Sequence, residues 1–135
     1  MVETYWIRGL SHIGLLTDDP KKAVDFYHEH LGFQLIYEKT LDNGTECWFA
    51  ENGGLVLEFV KKSNVPAPTA PGPIYHVALE VCGMDALVAE LKEKGIMPAD
   101  AKPNSNASFF PSGIKNVFFD GPCGEYIELF ELAHD

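Results

Sequence analysis

The sequence predicts an α+β fold built from two βαβββ modules in tandem, and three features carry that prediction. The stretch LSHIGLLTDDPKKAVDFYHEHLGF, from Leu10 to Phe33, has a counterpart in IYHVALEVCGMDALVAELKEKGIM, from Ile74 to Met97. Each copy opens as a short apolar strand carrying one histidine, then crosses a polar or glycine turn. An amphipathic stretch follows in each and stops at a glycine, Gly32 or Gly95. Each copy also closes alike. GGLVLEFV (Gly53 to Val60) matches CGEYIELF (Cys123 to Phe130), a glycine turn followed by an apolar strand that holds one glutamate.

The elements follow in order. After the strand around His12, the oxygens of Thr17, Asp18 and Asp19 suit a helix N-cap, and Pro20 suits the first helical position. Ala23, Phe26, Tyr27 and Leu31 recur at helical spacing and supply the inward stripe, and Gly32 ends the helix. FQLIYEKT and ECWFAEN read as the next two strands, and GGLVLEFV as the last of the module. KKSNVPAPTAPGP (Lys61 to Pro73) is proline-rich and irregular, a connector between halves. The second module opens with IYHVALEV, places Met84, Leu87, Val88 and Leu91 on its helix stripe, and closes that helix at Gly95. ADAKPNSNASFFPSG is loop-rich with one short strand, KNVFFDG is a clear strand, and CGEYIELF is the last. The expected boundaries are residues 7–62 for the first module, 74–132 for the second and 63–73 for the linker, with a pseudo-twofold axis relating the halves.

Composition narrows the classes. The 135 residues are 46% apolar and 22% charged, which suits one soluble globular domain. No apolar run is long enough to cross a bilayer, and MVETYWIRGL lacks the basic and apolar regions of an export signal. Cys47, Cys82 and Cys123 are odd in number and show no CxxC spacing, which favours a reducing cytoplasm over a disulfide framework or a thiolate zinc site. A formal charge of −10 repels phosphate backbones and anionic lipid, so neither nucleic acid nor membrane is expected as a partner.

Strand parity isolates the candidate site. In LVLEFV, Leu55, Leu57 and Phe59 share one face, while Glu58 lies between Val56 and Val60 on the other. In EYIELFEL, Glu128 lies between Tyr126 and Phe130 in the same way. A buried carboxylate is costly without a partner. The chain has a single arginine, Arg8, and its lysines cluster in helices and loops. The polar groups at matching places in the two copies are His12 and His76. Two imidazoles and two carboxylates suit a divalent cation, with about two of six octahedral positions left for water or substrate oxygens. The competing reading is a pair of buried His–Glu hydrogen bonds without metal. His28 and His30 flank the end of the first helix and are expected to face solvent or complement its dipole. His134 belongs to the tail, and Glu80 is expected to be exposed. Trp48, Phe49, Phe109 and Phe118 are expected to fill the core rather than wall a pocket.

Paired βαβββ modules together with SHIGLLTDDPKKAVDFYHEHLGF, YHVALEV and GPCGEYIELFE resemble the vicinal oxygen chelate superfamily. That superfamily includes glyoxalase I, methylmalonyl-CoA epimerase, extradiol dioxygenases and fosfomycin-resistance enzymes. The resemblance runs from about Leu10 to Leu132. It implies a single glyoxalase-like domain over residues 1–135, with each module a cup-shaped mixed sheet around a cavity, and a homodimer. It also implies metal ligation by His12, Glu58, His76 and Glu128. A glutamate at Glu58 makes the ligand set most similar to that of glyoxalase I, since the epimerases carry glutamine there and the dioxygenases no ligand.

The implied activity is that of a metal-dependent lyase or isomerase, similar to lactoylglutathione lyase or to an epimerase. In such enzymes the metal (nickel, cobalt, zinc, manganese or iron) holds two vicinal substrate oxygens and stabilises the enediolate left when a proton beside a carbonyl departs. Glu128 is expected as the base and Glu58 as the opposing acid or base. No organic cofactor is implied beyond glutathione or another thiol as co-substrate. The glutathione-holding Arg and Asn of glyoxalase I fall at Leu16 and Lys62, so the metal chemistry carries over more readily than the substrate. Two other classes compete. An iron(II) ring-cleaving dioxygenase would use His12, His76 and Glu128, and a non-catalytic protein would bind a small toxin or antibiotic.

Overall fold

The structure is a computed structural model and describes residues 8–133. The chain divides into two compact units, Met1–Pro68 and Thr69–Asp135. The first contains β1 (Ile13–Leu16), α1 (Pro20–Leu31), β2 (Gln34–Thr40), β3 (Glu46–Asn52) and β4 (Leu55–Lys61). Its sheet runs β1-β4-β3-β2, with β1 parallel to β4 and the other neighbours antiparallel. The helix between β1 and β2 allows the first and last strands to lie side by side in the same direction.

Of the three candidate caps, Asp19 is the one used, its carboxylate accepting from the Lys22 amide at 3.0 Å. Thr17 Oγ1 accepts from the Asp19 amide at 3.1 Å, and Asp18 Oδ1 accepts from the Ala67 amide at 2.9 Å. Gly32, at φ 76°, ends α1, with the Phe33 amide donating back to the Tyr27 carbonyl at 3.1 Å. The buried face of α1 differs from the expected stripe. Ala23, Val24 and Tyr27 are buried, while Phe26 and Leu31 sit half-buried at its margin, because the i, i+3, i+4, i+7 row starting at Pro20 is the one that meets the sheet. Tyr27 lies 5.2 Å from the Phe33 ring and 5.3 Å from the Phe59 ring, and Leu57 and Phe59 are fully buried beneath it. β2 forms the outer edge of the sheet, is exposed along its length, and carries a bulge between Leu35 and Tyr37.

The second unit repeats this order with β5 (His76–Glu80), α2 (Met84–Glu93), β6 (Asn104–Asn106), β7 (Ile114–Asp120) and β8 (Tyr126–Leu132). Its sheet runs β5-β8-β7-β6, with β5 parallel to β8. The α+β fold of two tandem βαβββ modules is therefore the one the sequence predicts, including the single short strand β6 inside the loop-rich stretch. Met84, Val88 and Leu91 from α2 are buried, as are Ile127 and Leu129 from β8, while Leu87 is half-buried.

The start of α2 is built differently from that of α1. Gly83 precedes it in a left-handed conformation and offers no side-chain cap, and Glu131 Oε2, from β8, accepts from the Met84 amide at 3.3 Å instead. A carboxylate also suits the positive end of the helix dipole. Replacing Glu131 with alanine is expected to cost about 1 kcal/mol, the usual loss for a missing N-cap, as a lower urea midpoint at unchanged slope.

The connector is irregular but anchored at both ends. Its first part is tied to Asp18 through Ala67. Its second part packs on the β7–β8 turn, where the Thr69 carbonyl lies 3.0 Å from the place a Gly124 side chain would occupy. Among the described residues no helix is long and apolar enough to cross a membrane.

Candidate functional site

In each unit one histidine and one glutamate meet on the sheet face opposite the buried core. Leu57 and Phe59 turn to the core, which leaves Glu58 on the other face of β4. Gly14 of β1 stands opposite Glu58 in register, and His12, two residues earlier, shares that face. His12 lies immediately before the first paired residue of β1 rather than within the strand. Its Nε2 is 3.1 Å from Glu58 Oε1, and its Nδ1 is 2.9 Å from Ser11 Oγ. In the second unit His76 is the first residue of β5, Ala78 stands opposite Glu128, and His76 Nε2 is 3.3 Å from Glu128 Oε1.

The aromatic neighbours match as well. Phe49 is the cross-strand partner of Glu58, and its ring lies edge-on to His12 at 5.3 Å. Phe118 is the cross-strand partner of Glu128 and lies edge-on to His76 at 5.6 Å. This corrects the expectation that both fill the core. Phe49 is half-buried and Phe118 exposed, because their strand parity puts them on the glutamate face. Phe109 is exposed as well, and Trp48, half-buried, pairs with Phe59 on the other face of β3. Hairpin counting from the glycine turns is the signal that finds Phe49 and Phe118, since each sits one hairpin before its glutamate.

Within each unit the pair has donor types and a spacing that two ligands of a divalent cation take. A cation about 2.1 Å from two ligands at a right angle holds those ligands about 3.0 Å apart, close to both observed Nε2–Oε1 separations. Ser11 Oγ can accept a hydrogen bond from His12 Nδ1–H, the tautomer that leaves the Nε2 lone pair for a metal, the usual outer support of a ligating histidine. His76 Nδ1 is buried and has no such partner among the described residues. The His12–Glu58 pair also has the geometry of a direct Nε2–H bond to the carboxylate, whereas His76 and Glu128 stand at ion-pair distance. Each unit supplies one pair, and no group of three or more His, Cys, Asp or Glu side chains gathers among the described residues.

Other sequence candidates fall outside these pairs. His28 Nδ1 donates to the Phe33 carbonyl at 2.7 Å just past the end of α1. His30 stacks edge-on to Phe26 at 5.1 Å, with its Nδ1 buried and unpartnered among the described residues. Glu80, Leu16 and Lys62 are exposed, and His134 lies outside the described residues. Sequence reasoning did not find two further contacts on the glutamate faces. Asn116 Nδ2 donates to Glu128 Oε2 at 2.9 Å. Burial first, and then a hydrogen bond to Glu58 together with its charge, push the Cys47 thiol above its ordinary pKa, so the thiol stays protonated and donates to Glu58.

Residues 9–129 match the family model of the Glyoxalase/Bleomycin resistance protein/Dioxygenase superfamily, and the chain belongs to that superfamily. Among its relatives is YwkD, an uncharacterized protein of Bacillus subtilis (strain 168), 30% identical over 133 residues that cover 93% of this chain and 98% of that protein. The mitochondrial methylmalonyl-CoA epimerase of Homo sapiens is 28% identical over 95 residues, which cover 64% of this chain and 54% of the epimerase. Among solved structures, a trypanothione-dependent glyoxalase I of Leishmania major superposes with a TM-score of 0.73 at 22% identity, over 93% of this chain and 87% of that one. That likeness carries the fold.

Proposed function

We propose that this protein is a divalent-metal-dependent lyase or isomerase that removes a proton next to a carbonyl in a small substrate, with His12, Glu58, His76 and Glu128 as the metal ligands. The observation that carries the reading is the repeated pair, an imidazole Nε2 and a carboxylate Oε1 at 3.1 Å and again at 3.3 Å, each backed by one phenylalanine edge. A bound divalent ion supplies the positive charge that lowers the cost of placing negative charge on adjacent substrate oxygens. The protein's own part is acid–base work. A glutamate takes the proton and gives it back to the substrate, and Phe49 and Phe118 pack edge-on against the two histidines.

The substrate reading is narrower. Leu16 is apolar, and Lys62 is a single exposed cation, so neither reproduces the glutathione-holding pair of glyoxalase I. An adduct of another thiol, or an acyl thioester like that of the epimerase relative, suits the chain better than glutathione. Cys47, Cys82 and Cys123 are in no disulfide, which suits a reducing cytoplasm, and a homodimer is proposed from the family resemblance. Elemental analysis of the purified protein is expected to find about one divalent ion per chain. Incubation in deuterium oxide is expected to put deuterium beside the carbonyl of at least one member of a panel of methylglyoxal–thiol adducts and methylmalonyl-CoA. Protein without stoichiometric metal and without exchange on any of them would sink the proposal.

A further inference from the structure

The two candidate ligand pairs are equivalent by position but not by support. On the glutamate face of the first unit, Cys47 pairs with Val60 and lies diagonally across from Glu58. Asn116, paired with Phe130, lies diagonally across from Glu128 in the same way. Cys47 and Asn116 thus occupy matching places, each two residues before the phenylalanine that opposes its glutamate. Their chemistry differs. The Asn116 amide is a strong donor and holds Glu128 Oε2 at 2.9 Å, while His76 Nε2 lies 3.3 Å from the other oxygen. A thiol is a weak donor and holds Glu58 loosely.

Two further differences run the same way. The Glu58 side chain is 19% exposed and the Glu128 side chain 9%. The residue facing Glu58 across the parallel pair is Gly14, whereas Ala78 faces Glu128. A side chain on Gly14 would begin 4.0 Å from Glu58 Oε1, so its absence leaves Glu58 room to swing on that side.

We propose that Asn116 and Cys47 are positioning residues that divide the work between the two glutamates: Asn116 fixes Glu128 as a permanent ligand, and Cys47, with Gly14, leaves Glu58 free to move and take the substrate proton. This reverses the assignment of Glu128 as base that the sequence suggests. In the step, the C–H bond beside the carbonyl breaks and its proton goes to a Glu58 oxygen. The electron pair stays on the substrate, spread onto the carbonyl oxygen. The base assignment rests on the proposed function, but the difference in freedom between the two carboxylates does not.

The experiment therefore has a metal-free arm and a metal arm. Side-chain order parameters are measured by NMR on metal-free protein carrying labelled glutamate. The expected result is higher order at Glu128 than at Glu58. Asn116→Ala should abolish the difference by loosening Glu128, and Cys47→Asn should raise Glu58 towards it. Equal order in the wild type, or an unchanged Glu128 in Asn116→Ala, overturns the inference whether or not metal binds. In the second arm cobalt(II) affinity is read by competition with a chelating dye. Asn116→Ala is expected to weaken it about 10- to 100-fold, the usual effect of losing an outer partner, and Cys47→Ala by less than about threefold. Equal losses overturn the division of labour. A wild type that binds no cobalt overturns the proposed function and the base role together, while the order parameters still decide which carboxylate is fixed.

Discussion

Replacing His76 with alanine is expected to lower affinity for a divalent ion by about 100-fold or more. Loss of an outer partner already costs about 10- to 100-fold, and a direct ligand contributes more. His76 Nε2 is placed 3.3 Å from Glu128 Oε1, and the imidazole supplies the one nitrogen of that pair. His28→Ala is the control, because His28 is committed to the Phe33 carbonyl on another part of the first unit. A chelating-dye competition reads both variants. If His76→Ala binds as tightly as the wild type, or no more weakly than His28→Ala, the assignment of His76 as a ligand fails. The approach to Glu128 is then a direct imidazole–carboxylate contact without metal.

The second large effect concerns stability. Phe59→Ala is expected to cost about 3–5 kcal/mol, since it deletes a fully buried ring and leaves a cavity against Tyr27, whose ring lies 5.3 Å away. Against a typical stability of about 5–15 kcal/mol, that is a large share of the whole. Val60→Ala, next along β4 but half-buried on the opposite face, should cost much less. Urea unfolding followed by circular dichroism reads the contrast. A Phe59→Ala loss below about 1 kcal/mol would mean that the ring is not the centre of the α1–β4 packing.

The repeat made most of the fold legible. A glycine at each helix end, a glycine turn before each last strand and a strand period of two sufficed to place both helices and to bring His12, Glu58, His76 and Glu128 onto the faces where they lie. Parity along one strand needs no knowledge of its neighbours. Several features that stayed hidden depend on pairing between strands or on distant contacts. Phe49 and Phe118 join the site because register sets them opposite the two glutamates, and composition alone marks them as core. The Glu131 cap on α2 joins residues far apart in sequence, so no local motif announces it. Val24 displaced Phe26 from the buried stripe because helical spacing fixes which residues share a face but not how that face is rotated towards the sheet. Cys47 and Asn116 escaped notice for another reason. They occupy matching places with unlike chemistry, and a search for similarity between repeats passes over such a pair.

The parallel pairing of β1 with β4, and of β5 with β8, also bears on how the units assemble and what holds them shut. In each, the histidine comes from the beginning of the module and the glutamate from its end, so they meet only once the intervening helix and hairpin are in place. Such distant pairings bear a large loop-closure entropy. Under the proposed function, a cation gripped by both side chains would act as a clasp between the two ends of a module. Such a cation would bind the folded unit and not the open chain, and so would stabilise it by mass action. Melting temperature should then rise with free metal concentration, and unfolding should slow, in a wild-type protein whose pairs are intact.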